Sequence, residues 1–163
     1  MTPPDRATPG DGDAGQDAHF RALESLYRAA PINTKFPSDL VIEAPGRARI
    51  NFVVDPTVYH AAGAAHGTTY FKLLDDAAFF AANSLVSDRY LLTTAFNLLF
   101  TRPMGLGPVT ALGRWISGKR RVFVAEASLI DATGEEIARG TGTFMRSNFA
   151  LSSLPGYSSS AVL

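Results

Sequence analysis

The chain contains no cysteine, which excludes disulfides, thiolate metal sites and a cysteine nucleophile. Only three histidines are present, so no metal site is expected. No apolar run approaches the roughly 20 residues that a membrane-spanning helix needs. The N-terminal segment MTPPDRATPGDGDAGQD lacks the apolar core of a signal peptide. These absences favour a soluble, cytoplasmic protein with no membrane partner.

The sequence also lacks an excess of charge of either sign. It has 15 basic and 15 acidic residues, so it offers no overall electrostatic attraction for nucleic acid or for an anionic membrane surface. We therefore expect no nucleic-acid partner. Hydrophobic residues make up 46% of the 163 residues, which is enough for one folded domain with a substantial core.

Composition divides the chain into three parts. Residues 1–16 are rich in Pro, Gly and Asp and are predicted to form a flexible arm. Residues 17–151 carry the periodic apolar patterns of a folded domain, and residues 152–163 form a Ser-rich tail that is expected to be peripheral. The sequence contains no internal repeat and no sign of a second domain.

The domain begins with a segment typical of a short amphipathic helix, DAHFRALESLYRAAP. Its apolar residues recur at helical spacing, and a proline stands just beyond the predicted end. The residues that define this pattern are Phe20, Leu23, Leu26, Tyr27 and Pro31.

The rest of the domain combines strand patterns with one long helix. DLVIEAPGRARINFVVD predicts two strands around a turn at Pro45-Gly46, and four more strand patterns follow in YLLTTAFNLLFTRP, VTALGRWIS, RRVFVAEASLID and EIARGTGTFMRS. The run from about Gly67 to Val86 is apolar on nearly all sides, which is typical of a helix buried by the rest of the protein. The predicted fold class is therefore α+β, with one curved antiparallel sheet wrapped around a long central helix.

The segment HAAGAAHGTTYFKLLDDAAFFAANS resembles the central motif of the hotdog-fold acyl-CoA thioesterases, specifically those of the phenylacetate-pathway type. In that family an Asn or Gln and a Gly precede a His-Gly-Gly sequence at the start of the central helix. An acidic residue follows in the helix, and Asn-Ser often closes the segment. The matching residues here are Gly63, His66, Gly67, Asp75, Asn83 and Ser84.

Two later segments extend the resemblance. TTAFNLLFTRP is similar to the family's strand that ends in Phe-x-Arg-Pro, and RRVFVAEASLIDATGEEIARGTGTF is similar to its final hairpin. The resemblance therefore spans roughly residues 37–147. Two residues depart from the family pattern: His60 stands where Asn or Gln is usual, and Thr68 replaces the second Gly of His-Gly-Gly.

The resemblance implies a single hotdog domain and an enzyme that hydrolyses acyl-CoA thioesters to the free acid and coenzyme A. Coenzyme A enters as part of the substrate, and no other cofactor is implied. The reaction needs a donor for the developing oxyanion and a group that activates water or attacks the carbonyl. The backbone N–H of Gly67, at the start of the helix, is the oxyanion candidate. Asp75 is the candidate general base or nucleophile.

The spacing between these two residues bears on assembly. Asp75 lies eight residues after Gly67, or about 12 Å along a helix, which is too far for both to act on one carbonyl. In the family, two central helices pack antiparallel across a two-fold axis, so that Asp75 of one subunit would face Gly67 of the other. The resemblance therefore implies a homodimer with two composite sites, expected to pair further into a dimer of dimers.

Asp75 has a second carboxylate, Asp76, as its neighbour. Adjacent residues on a helix differ in direction by about 100°, so the two side chains cannot share one environment. We interpret Asp75 as the site carboxylate and expect Asp76 to turn toward a helix cap, an arginine or solvent. The alternative is that both are paired structural carboxylates.

Several further residues are candidates for contact with the substrate. His60 either donates a hydrogen bond to the thioester carbonyl or is a loop histidine near the surface. His66 more readily orients the loop than acts as a base, and Thr68 is expected to narrow the acyl slot at its mouth. Phe79 belongs either to the core or to the lining of that slot. Gly63 and Asn97 complete this group.

Three basic residues are candidates for the coenzyme A phosphates. Arg102 ends the Phe-x-Arg-Pro strand, and Lys119 and Arg120 lie in the turn SGKRR. Each can meet a phosphate as a point charge or as a fork of donors. The alternative for the turn is a solvated hairpin tip.

Three functions fit this sequence. The first is hydrolysis of acyl-CoA thioesters, which Asp75 favours because a pure binder needs no carboxylate facing the thioester. The second is a non-catalytic hotdog module that binds acyl-CoA, for which the departures at His60 and Thr68 leave room. The third, a hotdog dehydratase or hydratase, fits less well because those enzymes usually rely on a differently placed histidine.

Overall fold

A computed structural model describes residues 11–158 of the chain. Its helices and strands in chain order are α1 (Asp11–Ala29), β1 (Ser38–Ala44), β2 (Arg47–Val54), α2 (Gly67–Asn83), β3 (Arg89–Phe100), β4 (Gly107–Ser117), β5 (Val122–Ile130) and β6 (Glu136–Ala150). Short 3-10 helices occupy Pro31–Thr34, Pro56–Val58 and Leu151–Ser153.

The six strands form one antiparallel sheet in the order β1-β2-β4-β5-β6-β3. The two strands predicted around the Pro45-Gly46 turn are β1 and β2, and the four later strand patterns are β3 to β6. α2 packs against strands along this sheet, with its main contacts to β4, β5 and β2. The predicted α+β architecture, with one antiparallel sheet and one long central helix, is confirmed.

α2 is buried against the sheet, and a small residue on the sheet allows the close contact. Leu73, Leu74, Ala77 and Ala78 are fully buried. A Cβ atom placed on Gly113 of β4 would lie only 1.9 Å from the carbonyl oxygen of Ala77. The helix can therefore sit this close to the sheet only because Gly113 has no side chain.

α1 is longer than the sequence predicts. It begins at Asp11 rather than at Asp17, so residues 11–16 of the predicted arm are helical. An acidic residue near a helix N-terminus, such as Asp13, interacts favourably with the helix dipole, and this offsets the low helix propensity of Gly15. Residues 1–10 of the predicted arm lie outside the described residues.

The apolar face predicted for α1 covers one end of the core. Phe20, Leu23 and Tyr27 are buried. The side chain of Glu24 accepts a hydrogen bond of 2.8 Å from the backbone N–H of Ile42 in β1. α1 is therefore fixed to the edge strand of the sheet by both apolar packing and a buried hydrogen bond.

The chain after β6 returns to α1. Leu151 is buried, and Leu154 and Tyr157 pack against the core. The Tyr157 hydroxyl lies 2.7 Å from Nδ1 of His19 on α1. The first part of the predicted peripheral tail thus contacts the domain, and residues 159–163 lie outside the described residues.

Neither helix in the described part of the chain has the length and apolarity required to cross a bilayer. The cytoplasmic location stays a prediction from the sequence.

Candidate active site

The start of α2 is organised by His66, which is the N-cap residue of the helix. Its Nδ1 atom accepts a hydrogen bond of 3.1 Å from the backbone N–H of Thr68, and the Thr68 hydroxyl lies at the same distance from Nδ1. The side chain of His66 thus satisfies one of the N–H groups that a helix start leaves unpaired. This geometry fits the loop-orienting role expected for His66.

The loop before the helix is closed by its own hydrogen bonds. The backbone N–H of His60 donates to the carbonyl of Ala64 over 2.9 Å, and that of Gly63 donates to the carbonyl of His60 over 3.0 Å. Gly63 has a φ of 81°, a left-handed conformation that favours glycine. His60 is exposed in this loop, and its Nδ1 accepts from the backbone N–H of Ala62 at 3.1 Å.

A cavity of about 370 Å³ lies beside the start of α2 and brings three predicted site residues together. His60, Gly67 and Arg102 all line it, although the last of them comes from the segment after β3. The hydroxyl of Tyr70, another lining residue, donates a hydrogen bond of 2.9 Å to the carbonyl of Arg102. This bond fixes the strand end to the helix start.

The ring of Phe100 forms the wall opposite Gly67. A Cβ atom on Gly67 would lie 3.3 Å from Cζ of Phe100, which is a tight contact. The missing side chain therefore keeps the helix N-terminus accessible from this cavity. The N–H groups and the dipole at such a helix start favour an oxygen that carries negative charge.

Arg102 is accessible for a ligand. Its guanidinium lies 3.3 Å from the Glu135 carboxylate, and both side chains are more than half exposed. Exposed ion pairs contribute little free energy, so a phosphate could replace Glu135 as the partner of Arg102.

Asp75 lies on a different part of α2 and is half-buried. Its carboxylate accepts a hydrogen bond of 3.0 Å from the hydroxyl of Thr93 on β3. Thr93 lies at a β-bulge, where the pairing of β3 with β6 shifts register before Ala95. Within residues 11–158, no cation forms a salt bridge with Asp75.

Burial raises the pKa of Asp75 to about 6. The hydrogen bond from Thr93 opposes this rise, the negative charge of Asp76 adds to it, and the charge of Lys72 lowers the pKa again. A carboxylate whose pKa is displaced by desolvation is a candidate functional group. With a pKa near 6 it is mostly ionised at neutral pH and is a stronger base than an ordinary aspartate.

Asp76 has a different environment, as its direction on the helix predicts. It forms a salt bridge with Lys72, one turn earlier on α2. The Lys72 ammonium also donates a hydrogen bond of 2.7 Å to Asn33 and lies 4.9 Å from the centre of the Tyr27 ring. The expectation that Asp76 faces a cap, an arginine or solvent is therefore wrong. The i,i+4 spacing of Lys72 and Asp76 was the sequence signal for this pair.

Gly67 and Asp75 do not meet within one chain. They are the first and the ninth residues of α2, so about 12 Å of helix separates them. Asp75 does not line the cavity beside Gly67. The two halves of the predicted catalytic site are present in the chain, but they lie more than two helical turns apart.

The other predicted residues lie away from this cavity. Phe79 is buried and its ring packs against Phe80, Tyr90 and Phe144, which assigns it to the core. Asn97 is exposed on β3, and Lys119 and Arg120 are exposed in the turn between β4 and β5. None of these four lines the cavity at Gly67. The sequence interpretation did not include Thr93, Tyr70 or Phe100, whose roles depend on contacts between distant segments.

No three His, Asp or Glu side chains in the described part of the chain converge in a way that could hold a metal ion. The absence of a metal cofactor stays a prediction from the sequence.

Comparison with known proteins connects this geometry to a family. Residues 62–138 match the thioesterase superfamily, a range that includes the end of the loop from Ala62 onward, α2 and Asp75. The fold is similar to that of the E. coli PaaI protein from the phenylacetic acid degradation operon, with a TM-score of 0.76 and 18% identity over 83% of this chain and 97% of that chain. The predicted resemblance to the hotdog thioesterases is confirmed.

Two further hotdog structures support this assignment. A thioesterase family protein from Silicibacter pomeroyi is 25% identical, with a TM-score of 0.71 over 79% of this chain and 97% of that chain. A protein from Streptococcus mutans, solved bound to acetyl-CoA, is 21% identical, with a TM-score of 0.62 over 68% of this chain and 88% of its own. The chain thus has a single hotdog domain of α+β class, as predicted.

Proposed function

We propose that this protein hydrolyses acyl-CoA thioesters to the free acid and coenzyme A. The observation that carries the proposal is Asp75, a half-buried carboxylate with a raised pKa and no salt bridge among the described residues. Its neighbour Asp76 is neutralised by Lys72. The chain therefore keeps one carboxylate available for chemistry and pairs the other.

The chemistry assigned to Asp75 is activation of the attacking group. As a general base it takes a proton from water while the water oxygen attacks the thioester carbonyl. As a nucleophile it attacks the carbonyl itself and forms an anhydride that water then hydrolyses. In both routes the carbon–sulfur bond breaks and coenzyme A leaves as the thiol after protonation. The two routes remain alternatives.

The oxyanion that develops on the carbonyl is assigned to the backbone N–H of Gly67. The open N-terminus of α2 and the absence of a side chain at Gly67 support this role. Because about 12 Å of helix separates the two groups, Gly67 must come from the opposing subunit. The proposal therefore includes a homodimer in which each site uses Gly67 of one subunit and Asp75 of the other.

The coenzyme A portion is assigned to the cavity that holds His60 and Arg102. The guanidinium of Arg102 is paired with Glu135, whose side chain is exposed. His60 lines the same cavity. The acetyl-CoA bound to the Streptococcus mutans protein supports coenzyme A esters as the ligand class. Lys119 and Arg120 are kept as candidates for phosphate contacts from the exposed turn.

The test is thiol release from a panel of acyl-CoAs by wild-type protein and by Asp75→Asn. Steady release by the wild type and its loss in the variant are expected, with circular dichroism showing that both are folded. Binding of acyl-CoA without release by the wild type would instead assign the non-catalytic acyl-CoA-binding module.

A further inference from the structure

A second cavity, of about 510 Å³, lies between α1, the part of α2 that carries Asp76 and Phe80, the start of β3 and the segment after β6. Its walls are predominantly apolar and include Leu26, Ile32, Phe80, Leu92 and Leu154. Its volume lies within the range of about 300–1,000 Å³ that is usual for small-molecule sites. Such apolar walls favour an apolar ligand.

Three of the four polar side chains that line this cavity, those of Tyr27, Asn33 and Asp76, have polar partners. Asp76 pairs with Lys72, and the hydroxyl of Tyr27 lies 2.6 Å from the Ser38 hydroxyl. Asn33 accepts a hydrogen bond from Lys72. An uncharged ligand therefore displaces none of these partners, whereas a charged end would meet an ion pair that is already neutral.

The cavity borders the neighbours of Asp75 rather than Asp75 itself. These are Asp76 on α2 and Leu92 on β3, which directly precedes Thr93, whose hydroxyl donates to Asp75. Tyr90 also lines it. Burial raises the pKa of Tyr90 to about 12, and the negative charges of Asp76 and Asp75 add to the rise. Both carboxylates therefore lie close enough to this wall to act on Tyr90 electrostatically.

Most of the cavity lies outside the part of the chain that matches the thioesterase superfamily. The match covers residues 62–138. The walls from α1, from Pro31–Thr34 and from the segment after β6 lie outside that range. The superfamily match therefore does not assign a role to this cavity.

From this geometry we infer that the cavity holds the acyl group of the thioester, with the carbonyl beside Asp75. The inference rests on the proposed function and specifies its substrate class. The preferred acyl groups are uncharged and apolar, and larger than acetyl. The Lys72–Asp76 pair closes one side of the cavity and discriminates against acyl groups that end in a carboxylate.

The test is to fill the cavity and measure binding without turnover. Ala30 lines it and has backbone angles that a larger residue adopts without strain (φ −67°, ψ 126°). Ala30→Phe should therefore reduce the space for an acyl group. The matched control is Ala18→Phe on α1, which is exposed and does not line the cavity. Ile32→Trp, at an exposed lining residue, is a second filling variant if Ala30→Phe does not fold.

The probe is S-octyl-CoA, a thioether that cannot be hydrolysed, with coenzyme A as reference in calorimetry of the full-length protein. Wild type and Ala18→Phe should bind S-octyl-CoA about ten-fold or more tighter than coenzyme A. The filling variants should lose most of that difference. The inference is overturned if wild type and filling variants prefer S-octyl-CoA over coenzyme A by the same factor. It is also overturned if the wild type binds the two compounds equally well.

Kinetics separate this inference from the proposed function. If the protein hydrolyses acyl-CoA, Ala30→Phe should lower kcat/KM for octanoyl-CoA about ten-fold and leave that for acetyl-CoA nearly unchanged. Hydrolysis with an unchanged octanoyl-to-acetyl ratio would reject the acyl pocket and keep the function. The binding pattern above without hydrolysis would reject the function and keep the pocket.

Discussion

The hydroxyl of Thr93 donates a hydrogen bond to the carboxylate of Asp75 across 3.0 Å, from an edge strand to the central helix. This bond stabilises the ionised form of the carboxylate, whereas burial destabilises that form. Lys72, the nearest cation on the helix, pairs with Asp76 instead. The pKa of Asp75 is therefore set chiefly by burial and by one neutral donor, with smaller and opposite contributions from the charges of Asp76 and Lys72.

Replacing Thr93 should change the pH dependence of activity. Thr93→Val removes the donor and keeps the shape, so the pKa of Asp75 should rise and the acidic limb of kcat/KM should move to higher pH. Thr93→Ser retains a hydroxyl and should restore the wild-type profile. A uniform loss of rate at all pH values, with no displacement of the limb, would mean that Thr93 acts only through packing.

Asp75→Asn tests the assignment of the base or nucleophile. The substitution keeps the shape and removes the charge, so the turnover rate should fall by roughly 10²–10⁴ while acyl-CoA affinity holds or improves. Stopped-flow and steady-state measurements of thiol release, made on the same protein preparation, give the turnover rate and the acyl-CoA affinity. Normal turnover in this variant would remove the carboxylate mechanism and favour the binding module.

Asp75→Asn should also raise the free energy of unfolding, by an amount that depends on pH. An unfolded aspartate has a pKa near 3.9, whereas folded Asp75 has a pKa of about 6. The folded state therefore binds the proton more tightly. Tighter proton binding by folded Asp75 adds to the free energy of unfolding. This contribution is fully present below about pH 3.9 and is lost as the pH rises through about 6.

At neutral pH the ionised Asp75 is consequently destabilising. Asp75→Asn should unfold at higher urea concentration at pH 7.5, with a gain of roughly 1–2 kcal/mol in the free energy of unfolding. The gain over wild type should shrink toward zero at pH 4. A variant that is less stable than wild type at pH 7.5 would show that the carboxylate is structural.

Asp76→Asn should behave in the opposite way. It leaves the Lys72 ammonium without its charged partner in a partly buried site, which should lower the free energy of unfolding by roughly 1–3 kcal/mol. Turnover per folded molecule should fall far less than in Asp75→Asn, because Asp76 is not the proposed base or nucleophile. The double variant Lys72→Met, Asp76→Asn removes both charges and should recover part of the loss. Unchanged stability in Asp76→Asn would contradict the role given to the pair.

The elements of the fold follow from local sequence patterns more fully than the site does. Period-two patterns and the Pro45-Gly46 turn predict strands because each depends on a few neighbouring residues. The start of α2 at Gly67 follows from the motif. The contact of Thr93 with Asp75 could not be predicted, because it joins a strand to a helix and no local sequence pattern specifies how the two pack together. The wall that α1 contributes to the second cavity likewise depends on long-range packing.

The last prediction concerns the composite site, which requires two subunits. Gly67→Pro removes the backbone N–H and adds a ring beside Phe100, so it should disable the oxyanion site, while proline is tolerated at the first position of a helix. His66 has the extended conformation that a residue before proline prefers (φ −66°, ψ 148°). Gly67→Pro and Asp75→Asn should each be inactive, and light scattering should show each as a dimer or a dimer of dimers.

Unfolding and refolding the two variants together should restore activity. In a mixed dimer, one site combines Gly67 of the Asp75→Asn subunit with Asp75 of the Gly67→Pro subunit, and the other site has neither group. Random pairing then gives about a quarter of wild-type activity. As a control, Gly67→Pro mixed with the double variant Gly67→Pro, Asp75→Asn should stay inactive, because every site has proline at position 67. If Gly67 and Asp75 of one chain acted together, mixing the single variants would restore nothing.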